Sequence, residues 1–153
     1  METKDFKALF SAVAAQNGFL SAFGGWFAES PECIIALDLQ KSNYGNYFEL
    51  NFKVYVQGMF GNTYTKSKDL LKKGTGDVFT RPSNQFRDAL NLDGPTDQLE
   101  RERKLAALFT EFVVPIATQA RTRSGLRALG VSGKVFLLPA VESELRRLSG
   151  EKN

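Results

Sequence analysis

Asp38 and Glu49 are the two carboxylates best placed to work as an acid–base pair, with Lys53 close enough in sequence to join them. Proton transfer by a pair of carboxyl groups needs one held neutral and one ionised. A nearby ammonium on a solvated face opposes that separation, because it holds both in the charged form. The chain has no histidine, which removes the Ser-His-Asp and Cys-His nucleophile arrangements and every zinc site built on imidazole. It has one cysteine, Cys33, so it forms neither an internal disulfide nor a Cys-x-x-Cys redox pair. An ion would need a carboxylate cluster, which suits calcium or magnesium, and no EF-hand loop spacing occurs. Gly74-Thr75-Gly76 lacks the GxxxxGK[ST] spacing of a phosphate loop. No metal and no cofactor are implied.

The element that must position these groups runs from Cys33 to Gln57. Ile35, Leu37 and Leu39 alternate with Ala36, Asp38 and Gln40. Phe48, Leu50, Phe52, Val54 and Val56 alternate with Glu49, Asn51, Lys53 and Tyr55. Period-two alternation marks half-buried strands, because successive side chains leave a pleat on opposite sides. Asn43, Tyr44, Gly45 and Asn46 are turn formers, so the segment reads as an antiparallel hairpin. Directly opposed residues share a face, so the loop must hold an even number of residues. A loop of Asn43 to Asn46 pairs Ser42 with Tyr47, Leu39 with Leu50, Gln40 with Glu49 and Asp38 with Asn51, leaving Lys53 diagonal to Asp38. One face is then apolar. The other carries Asp38, Gln40, Ser42, Glu49, Asn51, Lys53 and Tyr55, and the turn adds Lys41, Asn43 and Tyr44. Such a face is either a solvated sheet surface or a recognition surface.

Around the hairpin, residues 3–16 read as an amphipathic helix capped by Thr3, with Phe6, Leu9, Phe10 and Val13 inward and Asn17-Gly18 at its end. Phe19 to Ala28 is a weaker strand candidate in which Gly24-Gly25 marks a bulge or a tight turn. Asp77 to Thr80 reads as a further strand stopped by Pro82. A long helix is expected from Thr96 to about Arg121, opened by Asp97 and Glu100 and kinked at Pro115. Ser124 to Leu129 reads as a short helix, Val135 to Leu138 as a short extended piece, and Pro139 opens a last helix with Val141, Leu145 and Leu148 inward. The expected fold is α+β: a mainly antiparallel sheet of about four strands with helices packed on one face, in a single domain over residues 1–153.

The composition is that of an ordinary globular chain, 42% hydrophobic and 24% charged. Phenylalanine stands out at 13 residues, which points to aromatic core packing. A net charge of +3 is too mild to imply nucleic acid on its own. The basic residues Lys66, Lys68, Lys72, Lys73, Arg121, Arg123 and Arg127 would matter only if gathered on one side, and Glu100, Glu102 and Glu111 dilute them. No basic-then-apolar leader opens the sequence and no apolar run reaches membrane-spanning length, so a cytoplasmic protein is expected.

Gln40-Lys41-Ser42-Asn43-Tyr44-Gly45, followed by Phe48-Glu49-Leu50-Asn51, resembles the bacterial domain-of-unknown-function family 4304. That family is similar in a first helix ending in Gly-Phe, here Gly18-Phe19, then an aromatic strand, a strand running into Leu-Gln-Lys-Ser and a downstream strand carrying an Asn. The resemblance covers roughly residues 5–57 and implies a fold, with no activity or catalytic residues to transfer. The residues themselves favour a non-catalytic module that binds another protein through the polar hairpin face and the Lys41–Asn46 turn. The alternatives are a histidine-free, carboxylate-dependent enzyme for a small polar substrate, and nucleic-acid binding through the basic segments.

Overall fold

A computed structural model describes residues 1–150. Five strands follow one another as an antiparallel meander: β1 (Leu20–Ala22), β2 (Gly25–Glu29), β3 (Cys33–Lys41), β4 (Phe48–Val56) and β5 (Val78–Thr80). The central hairpin has the register its alternation requires, with Leu39 opposite Leu50, Gln40 opposite Glu49 and Asp38 opposite Asn51. Its loop closes with the Ser42 N–H donating to the Tyr47 carbonyl at 2.9 Å. The fold is α+β as expected, with five strands rather than about four. The extra strand comes from Phe23-Gly24, which turns the chain back instead of bulging it. Both residues lie at positive φ, 56° and 85°. The segment from Leu20 to Glu29 therefore folds as two strands paired to each other.

Helix α1 (Thr3–Gln16) buries Phe6, Phe10, Val13 and Ala14, as its spacing dictates. Its N-cap is Glu2, without a side-chain cap, so Thr3 is the first helical residue and not the cap. Asn17 closes it and Gly18 takes φ 86°. The expected long helix is present in three parts: α4 (Gln98–Leu108), a π-helical turn (Phe109–Val113) and α5 (Val114–Gln119). Asp97 caps it by accepting from the Glu100 N–H at 2.8 Å. Pro115 lacks the N–H that an α-helix would direct at a carbonyl four residues back, and the π turn just before it accommodates the missing bond. Helices α6 (Arg123–Val131) and α7 (Pro139–Leu148) complete the layer. Val135 to Leu138 forms no strand; it is the link between α6 and α7, and the Val135 N–H donates to the Leu129 carbonyl.

These helices cover the apolar face of the sheet, and aromatic rings hold the two layers together. Phe10 meets Trp26 at 4.5 Å and Phe109 at 5.3 Å between ring centroids, and Phe52 meets Phe112 edge-on at 6.1 Å. Cys33 is buried in this core, as expected. The short helix α3 (Arg87–Leu90) packs beside α4 and buries Ala89 and Leu90 in this core. On the opposite face the basic segment folds as the short helix α2 (Lys68–Lys72), which lies over the polar face of the hairpin. Leu70 and Leu71 of α2 pack there with Phe27, Ile34, Ala36 and Tyr55 in a second apolar cluster. Gly25 permits this approach, since a Cβ there would stand 2.7 Å from both the Leu71 side chain and the Leu37 carbonyl. Among the described residues, no helix is long and apolar enough to cross a membrane.

Candidate functional site

The polar face is thus not an open sheet surface. Asp38, Asn51, Lys53 and Tyr55 are all buried, because α2 covers the half of the face nearest Tyr55. Strand alternation told which residues share that face, while the cover comes from residues about fifteen positions away in sequence. Lys53 Nζ lies 2.9 Å from an Asp38 carboxylate oxygen and donates to the Leu71 carbonyl at 2.7 Å. The Tyr55 hydroxyl donates to the Leu70 carbonyl at 2.5 Å. These two bonds fasten the C-terminal end of α2 to β4, occupying carbonyls that a short helix leaves free. Gly74 continues the segment so close to Tyr55 that a Cβ would meet the hydroxyl oxygen at 2.6 Å.

From the ion pair a network runs outward. Asn51 donates its amide hydrogens to Asp38 at 3.0 Å and to Gln40 at 3.1 Å. Arg81 Nε donates to the Asn51 side-chain oxygen at 2.8 Å, and Arg81 Nη2 to the Gln40 oxygen at 3.3 Å. The guanidinium also lies over the Phe79 ring, 5.4 Å from its centroid. Arg81 is therefore oriented by two neutral amides and an aromatic face. Among the described residues no carboxylate pairs with it, so its positive charge is left uncompensated.

These groups line an open cleft of about 600 Å³ at the end of the hairpin. Its charged lining, among the described residues, is Lys7, Lys41, Lys53, Lys72, Lys73 and Arg81 against one carboxylate, Asp38. Asp38 is already matched by Lys53. Lys73 reaches Asp69 only at 3.8 Å on an exposed surface, where such a pair contributes little. Lys41 and Lys7 approach the Phe48 ring at 4.9 and 5.7 Å, and Lys41 also bonds Asn46. A cleft with this surplus of positive charge draws anionic groups.

Of the residues singled out in the sequence, Asp38, Gln40, Lys41, Asn51 and Lys53 come together here. Tyr55 lies beneath α2 and does not face solvent. Ser42, Asn43 and Tyr44 form the loop tip beyond the cleft, where Ser42 Oγ accepts from the Tyr44 N–H and the Tyr44 side chain is 95% exposed. Glu49 lines a separate small cleft with Asn84 and Arg87, so Asp38 and Glu49 do not converge on one space. The basic segments do not form one surface either. Arg123 is held by Glu32 and the Gln57 carbonyl, and Arg127 faces Glu142, away from the cleft containing Lys72 and Lys73. Arg81 was the residue missed. The sequence offered no register for β5; its observed pairing, with Phe52 opposite Thr80, places the next residue, Arg81, opposite Asn51 on the polar face.

Burial pushes the Tyr55 hydroxyl up to about 12, with Tyr64, Asp77 and Asp38 adding smaller repulsions. Burial likewise pushes the Cys33 thiol from 9.0 to about 12, followed in size by the neighbouring Glu32 charge. Both groups hold their protons more tightly folded than unfolded. Their contribution to stability is full below the unfolded values and is lost as pH rises toward 12. Urea denaturation is expected to show stability declining across that window, beginning at the thiol's ordinary value of 9.0. Cys33→Ala should flatten the early part of the decline and Tyr55→Phe the later part. An unchanged pH profile in both variants would show that neither group titrates against the fold.

Among the described residues, no three of His, Cys, Asp or Glu gather as a metal site. No curated protein and no solved structure matches the chain. A family model does match, over residues 10–119, and takes in the second half of α1, β1 to β5, α2 to α5 and the cleft lining except Lys7. The chain belongs to the family described as Domain of unknown function (DUF4304).

Proposed function

We propose that this chain is a non-catalytic module that binds another protein, with the cationic cleft at the end of the central hairpin as its contact surface. Its setting in this reading is the bacterial cytoplasm, which the single free, buried cysteine suits. The observation that carries the reading is the placement of Arg81: a guanidinium held in position by Asn51 and Gln40, uncompensated by any carboxylate among the described residues, lining an open cleft. A side chain fixed before binding loses little freedom on contact, which is the property of an interface anchor. The same geometry speaks against acid–base chemistry, because the Asp38 carboxylate is committed to Lys53 and Asn51. Tyr44, projecting from the adjoining loop tip, offers a second amphipathic contact.

The test is quantitative affinity capture from the native host, followed by titration of the recovered partner. Arg81→Gln should weaken the complex by about 2 kcal/mol and Tyr44→Ala by about 1–2 kcal/mol, the range of interface anchors. Lys72→Glu should act mainly on the association rate and its salt dependence. A partner retained equally by wild type and all three variants would rule out this surface.

A further inference from the structure

We infer that the cleft takes an extended, acidic segment of the partner protein, added as a strand along an open edge of β3; this rests on the reading of the chain as a protein-binding module. The argument starts from the hydrogen-bond parity of the sheet. In an antiparallel pair, alternate residues turn both N–H and C=O toward the same neighbour. The Ser42 N–H donates to Tyr47 and the Gln57 N–H to Glu32, so the even-numbered residues of β3 bond β4. The Ser30 N–H donates to Cys33, so the odd-numbered ones bond β2. The ladder with β2 stops at Trp26 opposite Leu37, where the chain turns away through Phe23 and Gly24. β3 itself continues to Lys41. The backbone groups of Leu39 and Lys41 therefore point past the end of β2, and both residues line the cleft.

An unpaired strand edge is a template for another extended chain, and main-chain bonds then supply affinity while side chains supply choice. Here the choice is set by charge. Residues of an added strand alternate between the two faces of the sheet. Those beside Leu39 and Lys41 would share a face with Lys41 and Lys7, and those beside Gln40 would share the face of Arg81 and Lys72. An acidic residue at either parity meets a cation. A second copy of the same edge would bring lysine to lysine, so the charges that favour an acidic segment oppose self-pairing.

The probe is a capped peptide of alternating glutamate and valine, about six residues long to match a short strand, titrated into the 15N-labelled protein at low ionic strength. Binding should perturb the Leu39 and Lys41 amide resonances and slow their exchange with solvent. Methylating the peptide's alternate backbone nitrogens should weaken it about tenfold, the loss expected for two removed hydrogen bonds. Lysine in place of glutamate should abolish binding, and Arg81→Gln should reduce it. Equal binding by the methylated peptide would overturn strand addition in favour of charge attraction alone. Inorganic phosphate displacing the peptide and producing the same shifts would instead make the cleft a site for small anions. If the glutamate peptide does not bind at millimolar concentration, the inference fails. The broader reading then stands only if Arg81→Gln still weakens the captured partner, and falls with it otherwise.

Discussion

Phe52→Ala is expected to lower the unfolding free energy by about 3–5 kcal/mol, read as a fall in the urea midpoint at unchanged m-value. Phe52 is 0% exposed and stands opposite Leu37 in the middle of the sheet. Its ring meets Phe112, the residue in the π turn that accommodates Pro115. Truncation removes apolar area and leaves a cavity that two layers of secondary structure prevent from closing. Tyr44→Ala is the matching control, since its 95% exposed side chain has no packing to lose and the midpoint should stay put. A Phe52→Ala midpoint equal to wild type would mean that β4 does not present this residue to the core.

The second large effect is expected at the buried ion pair. Asp38→Ala leaves the Lys53 ammonium, whose side chain is 6% exposed, with the Leu71 carbonyl at 2.7 Å as its remaining partner among the described residues. Removing one member of such a pair costs about 3–5 kcal/mol, because the other charge stays desolvated. Replacing both, as Asp38→Leu with Lys53→Met, removes the uncompensated charge and keeps most of the volume. The double variant should therefore recover most of the stability lost in the single one. Asn51 would retain Gln40 as acceptor, and Arg81 would retain Asn51 and Gln40. Calorimetric melting of the two variants decides the matter. A double variant no more stable than Asp38→Ala would mean that the pair is needed for the attachment of α2 and not merely tolerated there. Partner capture by the double variant gives a separate readout, because the cleft's uncompensated cations remain in place.

The hairpin was legible because its determinants are local. Alternation, loop parity and turn residues within Cys33–Gln57 suffice for the register, including the meeting of Lys53 with Asp38 across the strands. The helices at Thr3–Gln16 and Pro139–Leu148 were legible for the same reason, through apolar spacing and end signals. Absence of histidine likewise needed no structure to exclude imidazole chemistry. What covers a face is not local. Nothing in the alternation of β4 shows that Leu70 and Leu71 will lie over Tyr55, nor that Gly25 leaves room for Leu71. The turn at Phe23-Gly24 decides that β2 ends early, and only then does the edge at Leu39 and Lys41 come free. Arg81 joins Asn51 through the pairing of β4 with β5, across a connection whose path the intervening sequence does not specify. Strand identity follows from neighbours in sequence, whereas cover, open edges and charge clusters follow from long-range packing, which no short-period pattern encodes.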